Sequence, residues 1–348
     1  MEVIVYDRDM MRLGVIDDFK SLLWNRKYFD VGEFQLYAPL NADNIEMLQP
    51  GNIVTYKGSV EAGIIDYIEL DDSANARGIM CKGKFLKYLM NQRVCQWTHT
   101  YSGTAETAMY GLLDVVTPMP LVEPGTNHGY TEPIDIEVTW KNMYQIGLKI
   151  SKTSGIGLRL RPDFTAKKII YETYKGVDHS KGQKVNPQVI FSPLYANVEK
   201  TIYQYDNTYY KNYAIVGGEG EGSERKMVYV DQTITRAVTD RREAFVDAKD
   251  IRSTDFATTA EYEAALRQRG LENLASNIPT QSIEYATAGD SNFTYKIDYD
   301  LGDIVTYEKP DWNLAMDQRI IEIQEIYEKG GLTVRPTLGQ LTETVEWS

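Results

Sequence analysis

The chain has 348 residues, of which 43% are hydrophobic and 25% are charged, as is ordinary for a globular protein of two or three domains. Its net charge of −13 at pH 7 argues against a surface that grips nucleic acid, because affinity for a phosphate backbone comes mainly from clustered Lys and Arg. The sequence has no signal-peptide pattern and no apolar run near the ~18 residues of a membrane span, so neither signal-peptide secretion nor a membrane crossing is predicted.

About the first 95 residues have the alternating pattern of antiparallel strands with one packed and one solvated face. Phe34 and Leu36, for example, alternate with Glu33 and Gln35. Strand-like runs are predicted at 3–6, 12–16, 21–28 and 32–37, followed by three more that are broken at Gly58, Gly63 and a polar turn at 71–77. The sequence therefore predicts a compact β unit in this part of the chain.

The next part of the chain changes to helical spacing. Thr104 is placed to cap a helix that Pro118 ends, and a second helix is predicted at 141–152. Two alternating strands follow, joined by a turn near Pro162 and Asp163. This block predicts an α/β insertion between parts of a β domain.

Strand patterns return at Gln188 and continue through a glycine-rich hairpin loop at 217–222 (GGEGEG). The clearest helix in the chain is then predicted at 258–276, with Thr259 as its cap.

The chain ends in three runs rich in β-branched and aromatic residues, at 303–308, 316–327 and 332–336, which predict a β-meander. The isoleucines of the middle run fit neither strict alternation nor a clean helical face, so a strand with a bulge and a short helix both remain possible. A strand is favoured because Gly330 and Gly331 would then form a hairpin turn into the last run.

No motif assigns a catalytic, cofactor-binding or metal-binding residue. The GGEGEG loop lacks the Gly-Lys-Ser/Thr ending of a phosphate cradle and carries two glutamates that would repel phosphate. No two histidines have the spacing of a zinc-peptidase motif, and paired acids arise by chance among 50 acidic residues. The residues considered were His99, His128 and His179, and the pairs Asp17/Asp18 and Asp71/Asp72.

The two cysteines, Cys81 and Cys95, cannot form a disulfide framework and match no metal site. Free, at least partly buried thiols in a reducing cytoplasm are therefore predicted. His99 lies four positions after Cys95, so a Cys/His dyad is conceivable, but a packed cysteine is the favoured interpretation.

Aromatic residues give three open interpretations. Tyrosine is unusually frequent, with 25 residues against 9 phenylalanines, which suits half-buried strands and wet interfaces. One cluster could be a nucleic-acid stacking platform, but the acidic balance favours a sheet or subunit interface. Exposed tryptophans could instead form sugar platforms, although core or interface positions are favoured. These residues are Tyr203, Tyr205, Tyr209, Tyr210 and Tyr213, with Lys200 and Lys211 nearby, and Trp97, Trp140 and Trp312.

Four long stretches of the chain carry a resemblance to a known family. They are GVIDDFKSLLWNRKYFDVGEFQLYAPL and EAGIIDYIEL near the start, FSPLYANVEKTIYQYDNTYYKNYAIVGGEGEGSERKMVYVD in the centre, and YDLGDIVTYEKPDWNLAMDQRIIEIQEIYEKGG at the end. These stretches resemble the tail hub proteins of long-tailed bacterial viruses, which correspond to the N-terminal structural part of the tail-associated lysin. They are also similar to the baseplate hub of contractile phages and injection machines.

The resemblance implies a mainly β (α+β) fold with two small tube-type β-barrel domains and lateral α/β and helical parts. By this analogy the first barrel uses 1–96, the lateral α/β insertion 97–187, the second barrel 188–235 and 280–348, and the helical lateral segment 236–279.

The implied function is a structural, non-enzymatic hub without cofactors, a homotrimeric ring at the tail tip or baseplate of a phage or phage-like bacteriocin, assembled in the host cytoplasm. Its partners would be the tail tube or distal tail protein, the tape measure protein, and spike or receptor-binding proteins. DNA would only pass through, and an acidic lumen would keep phosphates from adhering. The alternatives are a tail-associated cell-wall hydrolase and a carbohydrate-binding adhesin of the tail tip.

Overall fold

A computed structural model describes residues 1–74, 77–234, 240–287 and 291–339, and it divides into two compact units. Unit 1 comprises Met1–Thr201 and Glu284–Leu338. Unit 2 comprises Ile202–Ile283 and, at the end of the described chain, Gly339. The predicted turn at 71–77 lies partly outside the described residues, as do parts of the predicted segments around 236–239 and 288.

In the described part of the chain, groups of β-strands alternate with four α-helices. The first part contains β1 (Val3–Tyr6), β2 (Arg12–Ile16), β3 (Ser21–Lys27), β4 (Glu33–Ala38), α1 (Ala42–Met47), β5 (Ile53–Tyr56), β6 (Gly63–Asp71) and β7 (Gly78–Phe85). The middle part contains β8 (Thr98–Thr104), α2 (Ala105–Gly111), β9 (Val122–Pro124), β10 (Pro133–Thr139), α3 (Met143–Ser154), β11 (Gly157–Asp163), β12 (Lys168–Tyr174) and β13 (Ile190–Phe191). The last part contains β14 (Val198–Asp206), β15 (Tyr213–Gly217), β16 (Met227–Asp231), β17 (Glu243–Asp247), α4 (Thr259–Ser276), β18 (Thr280–Thr287), β19 (Ile304–Lys309), β20 (Leu314–Glu328) and β21 (Gly331–Gly339).

The first β unit forms as the alternation predicts. In β4, Phe34 and Leu36 are buried while Glu33 and Gln35 are only partly covered, because successive side chains of a strand point to opposite faces. Strands β1 to β7 pair antiparallel, and the described sheet path through unit 1 runs β21-β20-β3-β4-β7-β6-β5-β1-β2. The core of this part is aromatic: the fully buried ring of Trp24 packs against Phe34, Tyr56 and Phe85.

The terminal meander is confirmed, and its middle run is a strand with a bulge rather than a helix. Strand β20 pairs with β19 along its first part, and with both β21 and β3 along its second part. The register shifts between Ile320 and Glu322, so the consecutive Ile320 and Ile321 are both buried. This bulge is the reason that the isoleucines depart from strict alternation. Strand β20 thereby connects the end of the chain to the first β unit.

The middle block contains the predicted two helices and hairpin. Thr104 caps α2 as predicted, but α2 ends at Gly111, well before Pro118. Helix α3 begins two residues later than predicted because the Asn142 side chain accepts hydrogen bonds from the first backbone N–H groups. Strands β11 and β12 pair antiparallel, and the apolar faces of both helices and of this hairpin share one core cluster.

Unit 2 contains a three-stranded sheet, in the order β16-β15-β17, with α4 packed on one face. The predicted hairpin at the GGEGEG loop is present, since β15 and β16 pair antiparallel on either side of it. The cap of α4 is Thr258, not Thr259: Thr258 forms a reciprocal capping box with Glu261, which satisfies two backbone N–H groups at once. The glycine at 270 lets α4 approach the sheet, because a Cβ there would lie 2.7 Å from Val216 Cγ2.

The fold is therefore mainly β with few helices, as predicted. The four-part division into two barrels and two lateral segments, with boundaries near 96, 187, 235 and 279, stays a prediction.

Candidate interaction surfaces

Each of the three histidines takes part in a hydrogen bond, through the ring in His99 and His179 and through the backbone in His128. The His99 ring bonds to the Gln96 carbonyl at 2.6 Å, and the His179 ring bonds to the Pro187 carbonyl at 2.7 Å. His128 donates its backbone N–H to Glu106 at 2.8 Å. In the described part of the chain, no group of three or more His, Cys, Asp or Glu residues could hold a metal ion.

Both cysteines are free and buried, as predicted. Burial raises the pKa of the Cys95 thiol to about 11 and that of Cys81 to about 12, where a nearby Asp66 carboxylate adds to the effect. A thiol with such a pKa stays protonated at neutral pH and is a weak nucleophile. The packed interpretation of Cys95 is thus favoured over a dyad with His99.

A buried ionic network, which sequence reasoning missed, lies at the junction of β3 and β20. Arg26 is 3% exposed, and its guanidinium donates to Glu61 at 2.7 Å, Asp300 at 2.6 Å and the Tyr295 hydroxyl at 2.5 Å. Burial alone would favour loss of the proton, but the surrounding acidic groups, Glu61 first, hold the pKa of Arg26 well above its ordinary value. Arg26 is therefore a permanent cation inside unit 1.

The second centre of this network is Glu325, which is fully buried. Its carboxylate accepts hydrogen bonds from the hydroxyls of Tyr56, Tyr295 and Tyr327, and Lys296 Nζ lies 3.5 Å away. A signal was present in the sequence, because Glu325 has the inward phase of Ile321 and Ile323 on the same strand. Together the two charges fix the segment 291–303, which carries Tyr295, Lys296 and Asp300, onto the first sheet.

A second buried cation is Lys87, which is 5% exposed and donates to the Phe29 carbonyl at 2.6 Å. Burial lowers its pKa from 10.5 to about 8, with Asp30 and Glu61 opposing that effect. The folded pKa lies below the unfolded one, so the fold disfavours the charged form, and stability must rise as the pH increases through 8 towards 10.5.

We expect the free energy of unfolding, measured with urea between pH 7 and pH 9.5, to increase with pH. Above pH 8 its slope should reach up to about 1.4 kcal/mol per pH unit. The variant Lys87→Met should lose this pH dependence because it has no titrating ammonium. Lys168→Met, which removes a half-exposed lysine, is the control and should keep it. Equal pH dependence in Lys87→Met and in the parent protein would contradict the assignment.

The edge of the unit 1 sheet at β2 is a candidate contact surface. Within the described residues β2 pairs only with β1, which leaves its other edge without a strand. Met11 and Leu13 beside and within β2 are 49% and 45% exposed. An unpaired edge with apolar side chains is a template for strand addition by another chain.

The aromatic residues singled out in the sequence lie mostly on the surface. Tyr203 and Tyr205 of β14 and the nearby Tyr209 are exposed, while Trp312 is half-exposed with Lys309 Nζ 4.7 Å from its ring centroid. Trp97 and Trp140 are brought together, with ring centroids 5.1 Å apart. None of the three tryptophans lies in the core, so an interface or a sugar platform stays the prediction for them, as an interface does for the tyrosines.

On unit 2 the sheet face opposite α4 also carries apolar side chains. Tyr229, Ile215 and Phe245 are paired across β16, β15 and β17 in one row. Tyr229 and Phe245 are both more than half exposed, and the Arg225 guanidinium lies 5.2 Å from the Phe245 ring centroid.

Among the described residues, no helix is both long and apolar enough to cross a membrane.

Three solved structures of tail proteins have a fold similar to that of this chain. The prophage tail protein gp18 from Listeria monocytogenes EGD-e has a similar fold, with a TM-score of 0.57 and 12% identity over 99% of this chain and 96% of that chain. The tail protein from Neisseria meningitidis MC58 has a TM-score of 0.57 and 13% identity over 97% and 96%. The 43 kDa tail protein of prophage MuSo2 from Shewanella oneidensis has a TM-score of 0.56 and 14% identity over 97% and 98%.

Structural similarity at 12–14% identity shows a common fold, whereas the family is assigned by a match in sequence. No curated protein matches the chain in sequence. The family described as Siphovirus ReqiPepy6 Gp37-like protein matches residues 2–340, which is nearly the whole chain. The predicted resemblance to phage tail proteins is thereby confirmed, and the chain belongs to the Siphovirus ReqiPepy6 Gp37-like protein family.

Proposed function

We propose that this tail protein is a structural hub at the distal end of a phage or phage-like bacteriocin tail. In this role three copies form a ring that continues or closes the tail tube and anchors spike, fibre or receptor-binding components. The observation that carries the proposal is the family match over residues 2–340, together with a fold shared along nearly the full length of prophage tail proteins. The distal tail protein and the tape measure protein would be its neighbours along the tail.

The surface of unit 1 supports ring formation. The open edge of β2 offers unpaired backbone groups, and Met11 and Leu13 add apolar area beside it. A closed ring removes such edges by pairing each one with a neighbouring copy, which also protects the edge from uncontrolled aggregation. We therefore assign the β2 edge to the contact between adjacent copies.

The experiment that tests the hub is the solution mass of the purified protein by light scattering, with negative-stain images of the same sample. The expected result is a mass of three chains and a threefold ring with a central channel. A protein that remains monomeric both alone and when mixed with the tail tube protein of the same particle would contradict the proposal.

The edge assignment predicts a specific assembly defect. Leu13→Lys places a charge on the β2 edge, and edge lysines oppose strand addition because pairing would desolvate the ammonium. We expect Leu13→Lys to give a folded monomer, with a circular dichroism spectrum and a melting temperature close to those of the parent. Leu70→Lys, at a similarly exposed residue on β6, away from β2, is the control and should still assemble. Equal assembly of the two variants would contradict the edge assignment.

We further propose that the hub is not an enzyme. The family and the similar structures are those of tail proteins, and the buried cysteines and locally bonded histidines suit a structural role. The alternative is a cell-wall hydrolase in the same particle. Incubation with purified peptidoglycan distinguishes them: release of soluble fragments above a heat-inactivated control would favour the hydrolase.

DNA enters this proposal only as passing cargo. The net charge of −13 would repel phosphates from a lumen lined by carboxylates and so prevent adhesion during ejection. The direct check is to neutralise the carboxylates that line the channel of the imaged ring. Slower DNA ejection is expected, and unchanged ejection would count against this role.

A further inference from the structure

The two exposed tryptophans of the middle block form a pair. Trp97 is 67% exposed and Trp140 is 55% exposed, and their rings meet edge to face at an interplanar angle of 61°. They lie just outside the paired ends of β8 and β10, where Thr98 pairs with Thr139. Exposing two large rings side by side is costly, because each would gain free energy by burial.

The backbone at both tryptophans adds to this cost. Trp97 has φ 64° and Trp140 has φ 49°, in the left-handed region that bulky side chains rarely adopt. The cause is a register break: Val94 pairs with Asn142 and Thr98 pairs with Thr139, so three residues lie between the paired positions on one strand but two on the other. Glycine or asparagine would satisfy such a bulge with less strain.

The surroundings of the pair are polar. Trp97 is preceded by the exposed Gln96 and followed by Thr98, whose hydroxyl accepts a hydrogen bond from the Thr139 hydroxyl at 2.9 Å. Two exposed indoles are few beside the roughly 20–30 residues that each partner contributes to a standard protein interface, so a small amphiphilic ligand suits the pair better.

A sugar has the matching chemistry. One face of a pyranose ring presents C–H groups, which pack on an indole face, while its hydroxyls bond to neighbouring hydroxyl and amide groups. Strained residues that the surrounding fold maintains are concentrated at binding sites. We propose that Trp97 and Trp140 form a carbohydrate-binding subsite, with the hydroxyl residues Thr98 and Thr139 next to them along the two strands. This site does not depend on the ring-forming role of the chain.

The test follows the indole N–H signals of protein labelled with ¹⁵N-tryptophan by NMR during titration with chitotriose, cellotriose and maltotriose. At least one trisaccharide should shift the Trp97 and Trp140 signals in a saturable way, with a Kd in the millimolar range or tighter. Trp97→Ala and Trp140→Ala should each weaken binding about tenfold or more, whereas Trp312→Ala, which removes another exposed indole, should not. These signals define the site, so the result is independent of the oligomeric state.

A second variant separates binding from folding. Trp97→Asn suits a left-handed backbone, so its melting temperature should equal or exceed that of the parent while trisaccharide binding is lost. A clear fall in melting temperature would identify Trp97 as a packing residue and overturn the proposal. The absence of Trp97 and Trp140 shifts with all three trisaccharides would also overturn it, as would shifts produced only by phosphatidylglycerol vesicles.

Discussion

Replacing Arg26 with Met is expected to lower the free energy of unfolding by about 3–5 kcal/mol. The reason is that Glu61 and Glu325 are almost fully buried and would lose the cation that they share, while the hydroxyl of Tyr295 would lose its donor. Lys296 stays near Glu325, but Glu61 would be left as a buried charge without its guanidinium partner, in a medium that solvates it poorly. Urea unfolding at pH 7, followed by circular dichroism, measures this loss.

The matched control for Arg26→Met is Lys168→Met. Lys168 forms its ion pair with Glu123 at 2.7 Å, but both side chains are more than 40% exposed. Exposed pairs are screened by water and salt, so this variant should cost at most about 1 kcal/mol. Arg26→Lys should fall between the two, because it keeps the charge but loses the guanidinium fork. A cost for Arg26→Met no larger than that for Lys168→Met would contradict the role assigned to the network.

The second large effect is expected at Trp24, where Trp24→Ala should cost about 3–5 kcal/mol. Its ring is fully buried and lies 4.5 Å from the ring of Phe85 and 5.4 Å from that of Tyr56, measured between centroids. Removing it empties the centre of the aromatic core of the first β unit, which can close only partly around the cavity. Thermal and urea unfolding should both detect the loss.

Two variants test the physical cause of that loss. Trp24→Phe keeps most of the ring volume, and the Trp24 indole N–H has no hydrogen-bond partner among the described residues. This variant should therefore cost clearly less than Trp24→Ala. Trp312→Ala removes a half-exposed ring and should change stability by about 0.5 kcal/mol or less. If Trp24→Ala proved as mild as Trp312→Ala, the aromatic core would not be the main source of stability in this part.

Arg26 and Trp24 belong to the same strand, and together they explain how the end of the chain is tied to its beginning. Trp24 is paired with Glu325 across β3 and β20, and Arg26 is paired with Ile323. Trp24 contributes its ring to the aromatic core, and the guanidinium of Arg26 bonds to Tyr295 and Asp300 and so holds the segment 291–303. Loss of either feature is expected to weaken the sheet that carries the proposed β2 contact edge.

The sequence by itself determined the local elements of this protein. Alternating hydrophobic and polar residues placed β4, runs of β-branched and aromatic residues placed the terminal meander, and helical spacing placed α2, α3 and α4. These signals are local, because side-chain direction in a strand and hydrogen bonding at a helix end depend on residues a few positions apart. The shift from Thr259 to Thr258 as the cap shows the limit of such reasoning: two neighbouring threonines are equivalent until Glu261 selects one of them.

Only the tertiary structure decided which residues meet. Arg26 bonds to Glu61, 35 positions away, and to Asp300, 274 positions away, while Tyr56 and Glu325 are 269 positions apart. Whether a glutamate in an alternating strand is solvated or buried depends on these distant partners, because a buried carboxylate is stable only when donors surround it. The pairing of Trp97 with Trp140 and the open edge of β2 were decided in the same way, since both depend on which strands pair and which do not.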